Sequence, residues 1–581
     1  MSIIKELKEN IKDIVKSAGY DVDDIIFTPG SRPDLGDYQI NDAMRLAKIY
    51  KEKPIEIAEK ISEELKKDSR FENINIAGPG FVNITLSPYF LYASLNKILE
   101  DERTNVDKPE KKLIFMDYGG ANIAKTLHVG HLRSANIGEA VKRLAKYLGH
   151  DVISDVHFGD IGRQSGMVIS EIKRRNPLLP YFDENYTGDY DSIDFTITPE
   201  ELGEIYPTAS IAAKNDEKRM AEVIEITKEL EEGNKAYTAL WEKIKEVSIE
   251  DIKEVYKDLN TTFDLYEGET DCYPYIPEVV EYLRNNNYLK RSEDAEVIEV
   301  AEESDKEPMP PLVVIKQNGG TLYGTRELAT MYSRVKRFSP DEIWYFTDMR
   351  QSLYFKQVFR AAKKTNLVPD DLVLNHYGFG TMNGSDGKPF KTRDGGVMNL
   401  KDLMNDIIKE TSKRLNTEMV EQKKEEETSK KIGISALKYA DLIPYREKDY
   451  IFDPDKFLSL DGKTGPYLLY STIRMKSLLT KSEIDDYSFT KLSGASDRKV
   501  AMQILKLPLV LTKCLEEKSL NELTDYIYKL TSLYNTFYND NKVLTEEDTD
   551  LKNSWLALTA LVYKTNITLL DILGIEVPEK M

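Results

Sequence analysis

The chain of 581 residues is 41% hydrophobic and 31% charged, with a formal net charge of −20. Its length allows about three to five domains with sizeable cores. The negative charge argues against a general polyanion binder, so a nucleic acid would have to bind through local basic patches. The two cysteines, Cys272 and Cys514, are too far apart in the sequence for a disulfide framework or a cysteine-rich zinc site.

No apolar run reaches the roughly 18 residues that a membrane helix needs. The N-terminus also lacks the pattern of a signal peptide. We therefore expect a cytoplasmic protein that does not contact membranes.

Residues 1–105 predict a small α+β domain that ends in a polar linker. The alternating segment 81–84 follows the turn Gly78-Pro79-Gly80, which is typical of a strand. On that strand, Phe81 and Asn83 either pack as ordinary strand residues or stack on and hydrogen-bond an unpaired base. The other expected elements are an amphipathic helix from Ile3 to near Gly19, a strand at 24–28, a helix that opens at 36–39 and runs through Ala43, and a helix at 54–67.

The centre of the chain is a β-α-β unit at 113–158. The short apolar run 113–116 fits a buried parallel strand. Helical spacing from Leu132 to Leu148, with Gly149 as the stop, predicts the helix that follows. A second strand is expected at 152–158. The crossover rule for such units places a ligand at the carboxyl end of the first strand.

Between the first strand and the helix, the residues His128, Gly130 and His131 indicate an anion site. The free N–H groups and the dipole of the helix start favour an anion, and glycine lets a base or phosphate approach the backbone. The two histidines lie three apart, so both can donate to phosphate oxygens from one face. Two surface histidines beside a packing glycine are the alternative, and no further zinc ligand stands nearby.

A glycine-rich turn at 159–166 follows the second strand, and its residues Gly159 and Asp160 suit ribose recognition. Next comes an acidic insertion at about 172–262, for which helices at 217–231 and 236–259 with solvated charges are expected. Strand signals return at 296–301, 312–316, 342–346 and 372–376, with helices at 325–337 and 354–365. This alternation predicts one doubly wound parallel sheet that the insertion interrupts.

A loop at 383–396 follows the last of these strands and contains Lys388 and Lys391. Lysines on a mobile loop beside a nucleotide fold can clamp polyphosphate in a transition state, whereas a solvated surface loop is the alternative. From about residue 418, apolar periodicity predicts a helical bundle that continues to the C-terminus. Its tyrosines are either core residues or platforms for bases.

Several separate parts of the chain carry motifs that occur together in one family. They are Asn122-Ile123-Ala124-Lys125 with His128-Val129-Gly130-His131, the loop Gly387-Lys388-Pro389-Phe390-Lys391-Thr392-Arg393, the N-terminal Gly36-Asp37-Tyr38-Gln39 with Gly78-Pro79-Gly80-Phe81-Val82-Asn83, and the C-terminal Tyr439-Ala440-Asp441-Leu442 with Gly465-Pro466-Tyr467 and 573–581. In this order and spacing they resemble the class I arginyl-tRNA synthetases. The first two are similar to the family's HIGH signature and its divergent KMSKS loop.

The resemblance implies a multidomain α/β protein. An N-terminal α+β domain at 1–105 would bind the D-loop at the tRNA elbow, and a Rossmann-type catalytic domain at 106–417 would carry the insertion. An α-helical anticodon-binding domain would occupy 418–581. The implied activity is that of a ligase: arginine and ATP give arginyl-adenylate and pyrophosphate, and the 3′ end of tRNA then accepts arginine. The family tends to need tRNA for the first step.

Site residues follow by position from the same resemblance. Catalysis is assigned to His128, His131, Lys125, Lys388 and Lys391, which would position the α-phosphate and stabilise its charge. ATP binding is assigned to Gly130, Gly159, Asp160, His128, His131 and Lys391. Arginine binding is assigned to Asp117, Asn122, Tyr323, Glu327 and Gln351. Mg²⁺ is expected with ATP, while neither a dedicated metal site nor protein-bound zinc is expected.

A guanidinium group needs carboxylate oxygens that match its planar donors, a role that the resemblance gives to Asp117 and Glu327. Family members commonly carry Glu at the first position and Asp at the second. Each exchange moves a carboxylate by about one methylene, roughly 1.5 Å, and the pair keeps its total charge. We expect the two differences to compensate each other.

For tRNA, the resemblance makes Phe81 and Asn83 candidates for reading the D-loop. Stacking on splayed bases of the anticodon loop would fall to Tyr467, Tyr470, Tyr534 and Met581. The expected partners are tRNA(Arg), L-arginine and ATP, without a membrane, and the protein is expected to be a monomer. Two alternatives stay open: a class I synthetase for another amino acid, and a catalytically silent paralogue that binds RNA.

Overall fold

The computed structural model describes residues 2–30, 32, 34–292, 295–316, 320, 322–384, 386–388, 398–414, 422–494 and 496–581, without the side chains of 422–424. Lys391, which the resemblance assigns to catalysis and ATP binding, lies outside the described residues with the rest of 389–397. Lys388 of the same loop is described.

The N-terminal domain packs helices on an antiparallel sheet. Its elements are α1 (Ile3–Ser17), β1 (Phe27–Pro29), β2 (Tyr38–Ile40), α2 (Ala43–Tyr50), α3 (Pro54–Leu65), β3 (Phe71–Ala77), β4 (Phe81–Leu86) and α4 (Pro88–Glu100), and the strand order is β1-β2-β4-β3. The prediction of a helix that opens at 36–39 was wrong. Tyr38 and Ile40 are both buried with Gln39 between them, which is the period of a strand, and the helix begins only at Ala43.

The middle part of the chain begins with the predicted β-α-β unit. Its first elements are β5 (Leu113–Asp117), α5 (Val129–Leu148), β6 (Asp151–Asp155) and α6 (Arg163–Arg175), and the insertion follows as α7 (Pro199–Asn215), α8 (Glu217–Glu231) and α9 (Lys235–Asp258). Gly149 ends α5 with a φ of +105°, as its position in the sequence predicted. Helix α7 was not predicted, although Thr198 and Glu201 form a capping box at its start.

After the insertion the chain completes the parallel sheet. The elements are α10 (Ile276–Asn285), β7 (Lys290–Ser292), β8 (Ala295–Ile298), β9 (Leu312–Ile315), α11 (Tyr323–Phe338), β10 (Glu342–Tyr345), α12 (Ser352–Lys364) and β11 (Val373–His376). The parallel sheet has the order β11-β10-β5-β6. The placement of β8 and β9 in this sheet was wrong, because they pair antiparallel with β7 in a separate sheet. The described segment 299–311 between them forms no helix, so no crossover makes them parallel.

The C-terminal part is helical, as predicted. Its elements are β12 (Met382–Asn383), α13 (Leu400–Arg414), α14 (Gln422–Leu442), β13 (Tyr450–Ile451), α15 (Pro454–Phe457), α16 (Gly465–Ser482), α17 (Ser496–Ile504), α18 (Leu507–Glu517), α19 (Asn521–Asp540) and α20 (Thr549–Ile572). Aromatic residues, Tyr439, Tyr534 and Trp555 among them, are buried in the core of this bundle. In the described part of the chain, no helix combines the length and the apolar composition needed to cross a membrane.

Candidate active site

A cavity of about 690 Å³ lies at the carboxyl ends of β5 and β10. The chain leaves β5 toward β6 on one side and later returns to β10 on the other, so this is the point where the strand order reverses. Ligands of open parallel sheets bind at such points. The cavity is lined by the turn after β5, the start of α5, the start of α11 and the loop after β10.

Most of the predicted site residues meet in this cavity. All five residues assigned to arginine line it: Asp117, Asn122, Tyr323, Glu327 and Gln351. Of those assigned to ATP, the cavity is lined by His128, Gly130, His131 and Gly159. In the sequence these residues stand in four separate segments, and the sheet brings them together.

The two histidines hold each other at the start of α5. The backbone N–H of Gly130 donates to Nδ1 of His128 at 3.0 Å, and the backbone N–H of His128 donates to Nδ1 of His131 at 3.0 Å. Burial lowers the pKa of His131 to about 3, and burial together with Lys125 lowers the pKa of His128. Both rings are therefore neutral near pH 7, and because Nδ1 accepts in each, the proton sits on Nε2 as a donor.

The turn after β5 depends on residues without a side chain. Gly119 has a φ of +92°, and a Cβ there would lie 2.8 Å from the ring of Phe263. A Cβ on Gly159 would lie 2.5 Å from Oδ1 of Asn122, so this glycine leaves room for the amide. The backbones of Asn122 and Gly159 are paired, which fixes the turn against the end of β6.

The ends of the parallel strands carry a row of polar side chains below the cavity. Tyr345 of β10, Asp117 of β5 and Asp155 of β6 are aligned by the strand register. Arg334 of α11 contacts all three: Nη2 donates to Asp117 Oδ2 at 2.7 Å and to Asp155 Oδ2 at 2.9 Å, and Nη1 donates to Tyr345 Oη at 3.3 Å. Arg334 is 1% exposed, so these ion pairs are shielded from water.

His157 adds a second cation to this row. Its Nδ1 lies 3.4 Å from Asp155 Oδ2. Burial opposes protonation of His157, but its interaction with Asp155 prevails and raises the pKa of His157 to about 9. The pKa of Asp155 is lowered to about 2 against the effect of burial, because His157 and Arg334 stabilise its charge.

Glu327 is the carboxylate of the cavity that lacks a counter-charge in contact. Its Oε1 is buried and has no hydrogen-bond partner among the described residues. Burial raises the pKa of Glu327. Because an unsatisfied buried oxygen costs free energy, this atom fits a donor that the ligand supplies.

The acidic cluster of Asp117, Asp155 and His157 has the ligand atoms and the spacing for a metal ion. However, the guanidinium of Arg334 already binds both of its carboxylates. A divalent cation there would lie against a fixed positive charge, so these residues do not fit a metal centre.

Three other predicted residues lie apart from the cavity. Nζ of Lys125 lies 4.4 Å from the ring centre of Tyr206 in α7. The carboxylate of Asp160 is buried, 3.1 Å from Nζ of Lys245, and accepts the backbone N–H of Thr270 at 3.0 Å. It thus joins the insertion to the turn. The side chain of Lys388 is exposed.

The residues assigned to tRNA differ in exposure. Phe81, Tyr467 and Met581 are half-buried, and Tyr470 is 43% exposed. Asn83 is 5% exposed, and its Nδ2 lies 3.5 Å from the carbonyl of Asn75. Tyr534 is fully buried, and its hydroxyl donates a hydrogen bond to Thr559 at 3.2 Å. It therefore lies in the core of the bundle, and no face of its ring is open to a base.

Sequence reasoning gave no role to several residues of this site. Arg334 was missed, although an arginine among the residues that α11 buries is a signal. Glu269 also lines the cavity and pairs with Arg326 at 2.8 Å, and Asp348 pairs with Arg350 at 2.6 Å. Both residues stand in loops whose sequence carries no motif.

Three family models match the sequence. They are the arginyl tRNA synthetase N terminal domain at residues 2–86, the catalytic domain of tRNA synthetases class I (R) at 94–454 and the DALR anticodon binding domain at 468–581. Among curated proteins, the chain is 44% identical over 586 residues to the arginine–tRNA ligase of Alkaliphilus oremlandii, and each chain is covered completely. It is 39% identical over 592 residues to that of Francisella tularensis subsp. novicida, again with complete coverage of both.

Solved structures give the same result for the fold. The arginyl-tRNA synthetase of Plasmodium falciparum superposes with a TM-score of 0.79 at 25% identity, with 99% of each chain covered. The arginyl-tRNA synthetase of Thermus thermophilus superposes with a TM-score of 0.79 at 19% identity and full coverage of both chains. The second likeness concerns the fold alone.

Proposed function

The chain belongs to the class I arginyl-tRNA synthetase family, and we infer from this membership that it joins arginine to tRNA at the expense of ATP. Arginine and ATP give arginyl-adenylate and pyrophosphate, and the arginyl group then passes to the 3′ end of tRNA(Arg). The cavity at the ends of β5 and β10 is the proposed site of both steps. The proposed limits of the three domains lie near residues 105 and 417.

One observation supports arginine as the amino acid. Glu327 presents a buried, unpartnered carboxylate oxygen to a cavity that Asp117 also lines. A guanidinium offers several N–H donors in one plane and a permanent positive charge, which such carboxylates match. An apolar amino acid would leave Oε1 of Glu327 without a partner, and that loss disfavours such a substrate strongly.

In the proposed first step, a carboxylate oxygen of arginine attacks the α-phosphorus of ATP and pyrophosphate leaves. The step needs alignment and stabilisation of negative charge more than proton transfer. His128 and His131 supply neutral Nε2–H donors at the positive end of α5, where an anion is favoured. Asn122 and Gln351 are proposed to hold the α-amino and carboxylate end of arginine.

In the proposed second step, a ribose hydroxyl of the terminal nucleotide attacks the arginyl carbonyl, and AMP leaves. His128 and His131 are weak bases for this proton, because the pKa of each is lowered. The departing phosphate oxygen can take the proton instead. We propose that Lys125, Lys388 and Lys391 act on the phosphates when ATP is bound, and that Asp160 acts on the ribose side through the turn it anchors.

Mg²⁺ is expected to enter with ATP. Since Arg334 binds the carboxylates of the one described acidic and histidine cluster, we propose that the phosphates of ATP hold the ion. No zinc site is proposed. The enzyme is proposed to act as a cytoplasmic monomer.

We propose that tRNA is needed for the first step. Exchange of pyrophosphate into ATP measures adenylate formation directly, with arginine present and with or without tRNA(Arg). Exchange only in the presence of tRNA supports the proposal, and equal exchange in both reactions refutes the tRNA requirement. No exchange with arginine and tRNA together would refute the proposed activity.

A further inference from the structure

We propose that Arg334 is a positioning residue for the amino-acid substrate: a built-in guanidinium that fixes Asp117 and leaves the cavity one positive charge short. The inference rests on the proposed function and adds to it a residue that does not touch the substrate. It states why the cavity would select a single cation.

The ends of three strands place Asp117 where one guanidinium can hold it. Asp117 stands between Tyr345 and Asp155 at the ends of three adjacent strands, and the guanidinium of Arg334 contacts all three side chains. Oδ2 of Asp117 is thereby fixed, while no described residue donates a hydrogen bond to its Oδ1. The free oxygen belongs to a carboxylate that lines the cavity.

A ring contact also fixes the guanidinium. Its central carbon lies 4.6 Å from the ring centre of Phe115. The planar group therefore has one orientation, with a π face against the ring and its edge toward the carboxylates. Nη2 alone donates to both carboxylates, and Nη1 reaches the hydroxyl of Tyr345. A lysine ammonium is a single point of charge, so it would lose the contact with Tyr345 and the flat face against Phe115.

The charged side chains of the cavity and of the cluster below it nearly balance each other. Three carboxylates form the negative part of this cluster, Asp117, Asp155 and Glu327, and in the described part of the chain none of them pairs with a cation from outside it. The cations of the cluster are Arg334 and protonated His157. The other carboxylates of the cavity are paired, Glu269 with Arg326 and Asp348 with Arg350. His128 and His131 are neutral. The described groups therefore carry one unbalanced negative charge, at Glu327.

A substrate guanidinium would complete this balance. Without Arg334 the same cluster would lack two positive charges, and its carboxylates would take up protons or a foreign cation. The substrate guanidinium could also enter the empty place against Phe115, where its carboxylate end would no longer reach ATP. Arg334 thus excludes a wrong binding mode as well as positioning Asp117.

Two variants test the inference, Arg334→Lys and Arg334→Ala. The first keeps the charge but loses the planar group that contacts Asp117, Asp155 and Tyr345 together, and we expect the KM for arginine to rise about tenfold with the KM for ATP unchanged. The second opens a guanidinium-shaped space, and we expect kcat/KM for arginine to fall about a hundredfold. Guanidinium chloride at millimolar concentration should then restore activity to Arg334→Ala, whereas it should inhibit the unmodified enzyme by competing with arginine.

Arg360→Lys is the matched control. Like Arg334, Arg360 of α12 pairs with a carboxylate, here that of Asp305 through both terminal nitrogens at 2.6 and 2.8 Å, but it does not line the cavity. This variant should change neither KM. The melting temperature and the active fraction of each variant, from single-turnover charging, distinguish a folding defect from a positioning defect.

The outcomes separate cleanly. The inference is wrong if Arg334→Lys keeps the arginine KM of the unmodified enzyme, or raises both KM values as the active fraction falls. It is also wrong if a folded Arg334→Ala variant shows no rescue by guanidinium. If the unmodified enzyme charges no tRNA with arginine, the proposed function itself fails and the inference fails with it.

Discussion

Glu327 and Arg334 lie seven residues apart on α11, two turns along the same face of the helix. One helix therefore presents both the unpartnered carboxylate of the cavity and the cation that holds the carboxylates below it. Because α11 begins at Tyr323, a second residue assigned to arginine stands on its first turn. This single helix therefore carries two of the five residues assigned to arginine and, through Arg334, holds a third, Asp117.

Glu327→Gln removes the unbalanced charge and keeps the size of the side chain. We expect the KM for arginine to rise about a hundredfold, because a charged hydrogen bond to guanidinium is worth roughly 1.5–3 kcal/mol. The KM for ATP should not change. Steady-state charging of tRNA measures both constants.

Glu171→Gln is the control for that variant. Glu171 is also largely buried, but it pairs with Arg175 and Arg219 on the far side of α6. An equal rise of the arginine KM in both variants would mean that Glu327 has no direct role.

The exchanged carboxylates give a second prediction. Asp117→Glu alone should raise the arginine KM, because the longer side chain must displace Arg334 from its 2.7 Å contact or intrude into the cavity. The double variant Asp117→Glu with Glu327→Asp should raise it less, since the second change gives back the methylene. Equal KM values for the single and the double variant would contradict compensation.

His157 predicts a pH dependence of stability. Its pKa in the folded protein is about 9, above the roughly 6.5 of an unfolded histidine, so its contribution is fully present below pH 6.5 and lost as pH rises to 9. The contribution is at most about 3 kcal/mol. The urea midpoint of the unmodified enzyme should therefore exceed that of His157→Gln most at pH 6.5. This difference should shrink as pH rises to 9.5.

That comparison needs the variant, because buried Lys438 acts in the opposite direction. Burial lowers the pKa of Lys438 to about 7, so the neutral form is favoured in the folded state and stability rises with pH above that value. The term is common to both proteins and cancels in the difference. A midpoint difference that does not vary with pH would contradict the charged state of His157.

Tyr470 and Tyr534 should behave differently when truncated. Tyr470 is 43% exposed, and Tyr470→Ala should raise the KM for tRNA about tenfold through loss of base stacking, at constant arginine KM. Tyr534 is fully buried, and Tyr534→Ala should cost about 3–5 kcal/mol of stability instead. A lower melting temperature for Tyr470→Ala with unchanged tRNA KM would assign that residue to the core as well.

The sequence predicted the central unit well because its signals are local. The apolar run before Asp117, the helical spacing up to Leu148 and the stop at Gly149 each arise within a few residues, and the structure confirms all three. The strand at 38–40 was misread because three residues are too few to show a period. Strands β8 and β9 have clear strand patterns, but no local signal tells which partner a strand will have.

Some residues of the candidate site could likewise be predicted from the sequence, and others could not. The cavity is lined by all five residues that the resemblance had assigned to binding arginine, and these come from three distant segments of the sequence. The roles of Arg334 and His157 could not be predicted from the sequence. Both residues act on Asp117 or Asp155, and only the strand register places these two carboxylates beside each other. The resemblance assigned Tyr534 to tRNA together with Tyr470, and only the burial of Tyr534 distinguishes the two.

Charging of total tRNA with each amino acid in turn, at fixed ATP, tests the central claim most directly. The account predicts ATP-dependent charging with arginine and with no other amino acid, because only arginine supplies a guanidinium to Glu327. Charging with a different amino acid, or no ATP-dependent charging at all, would contradict it.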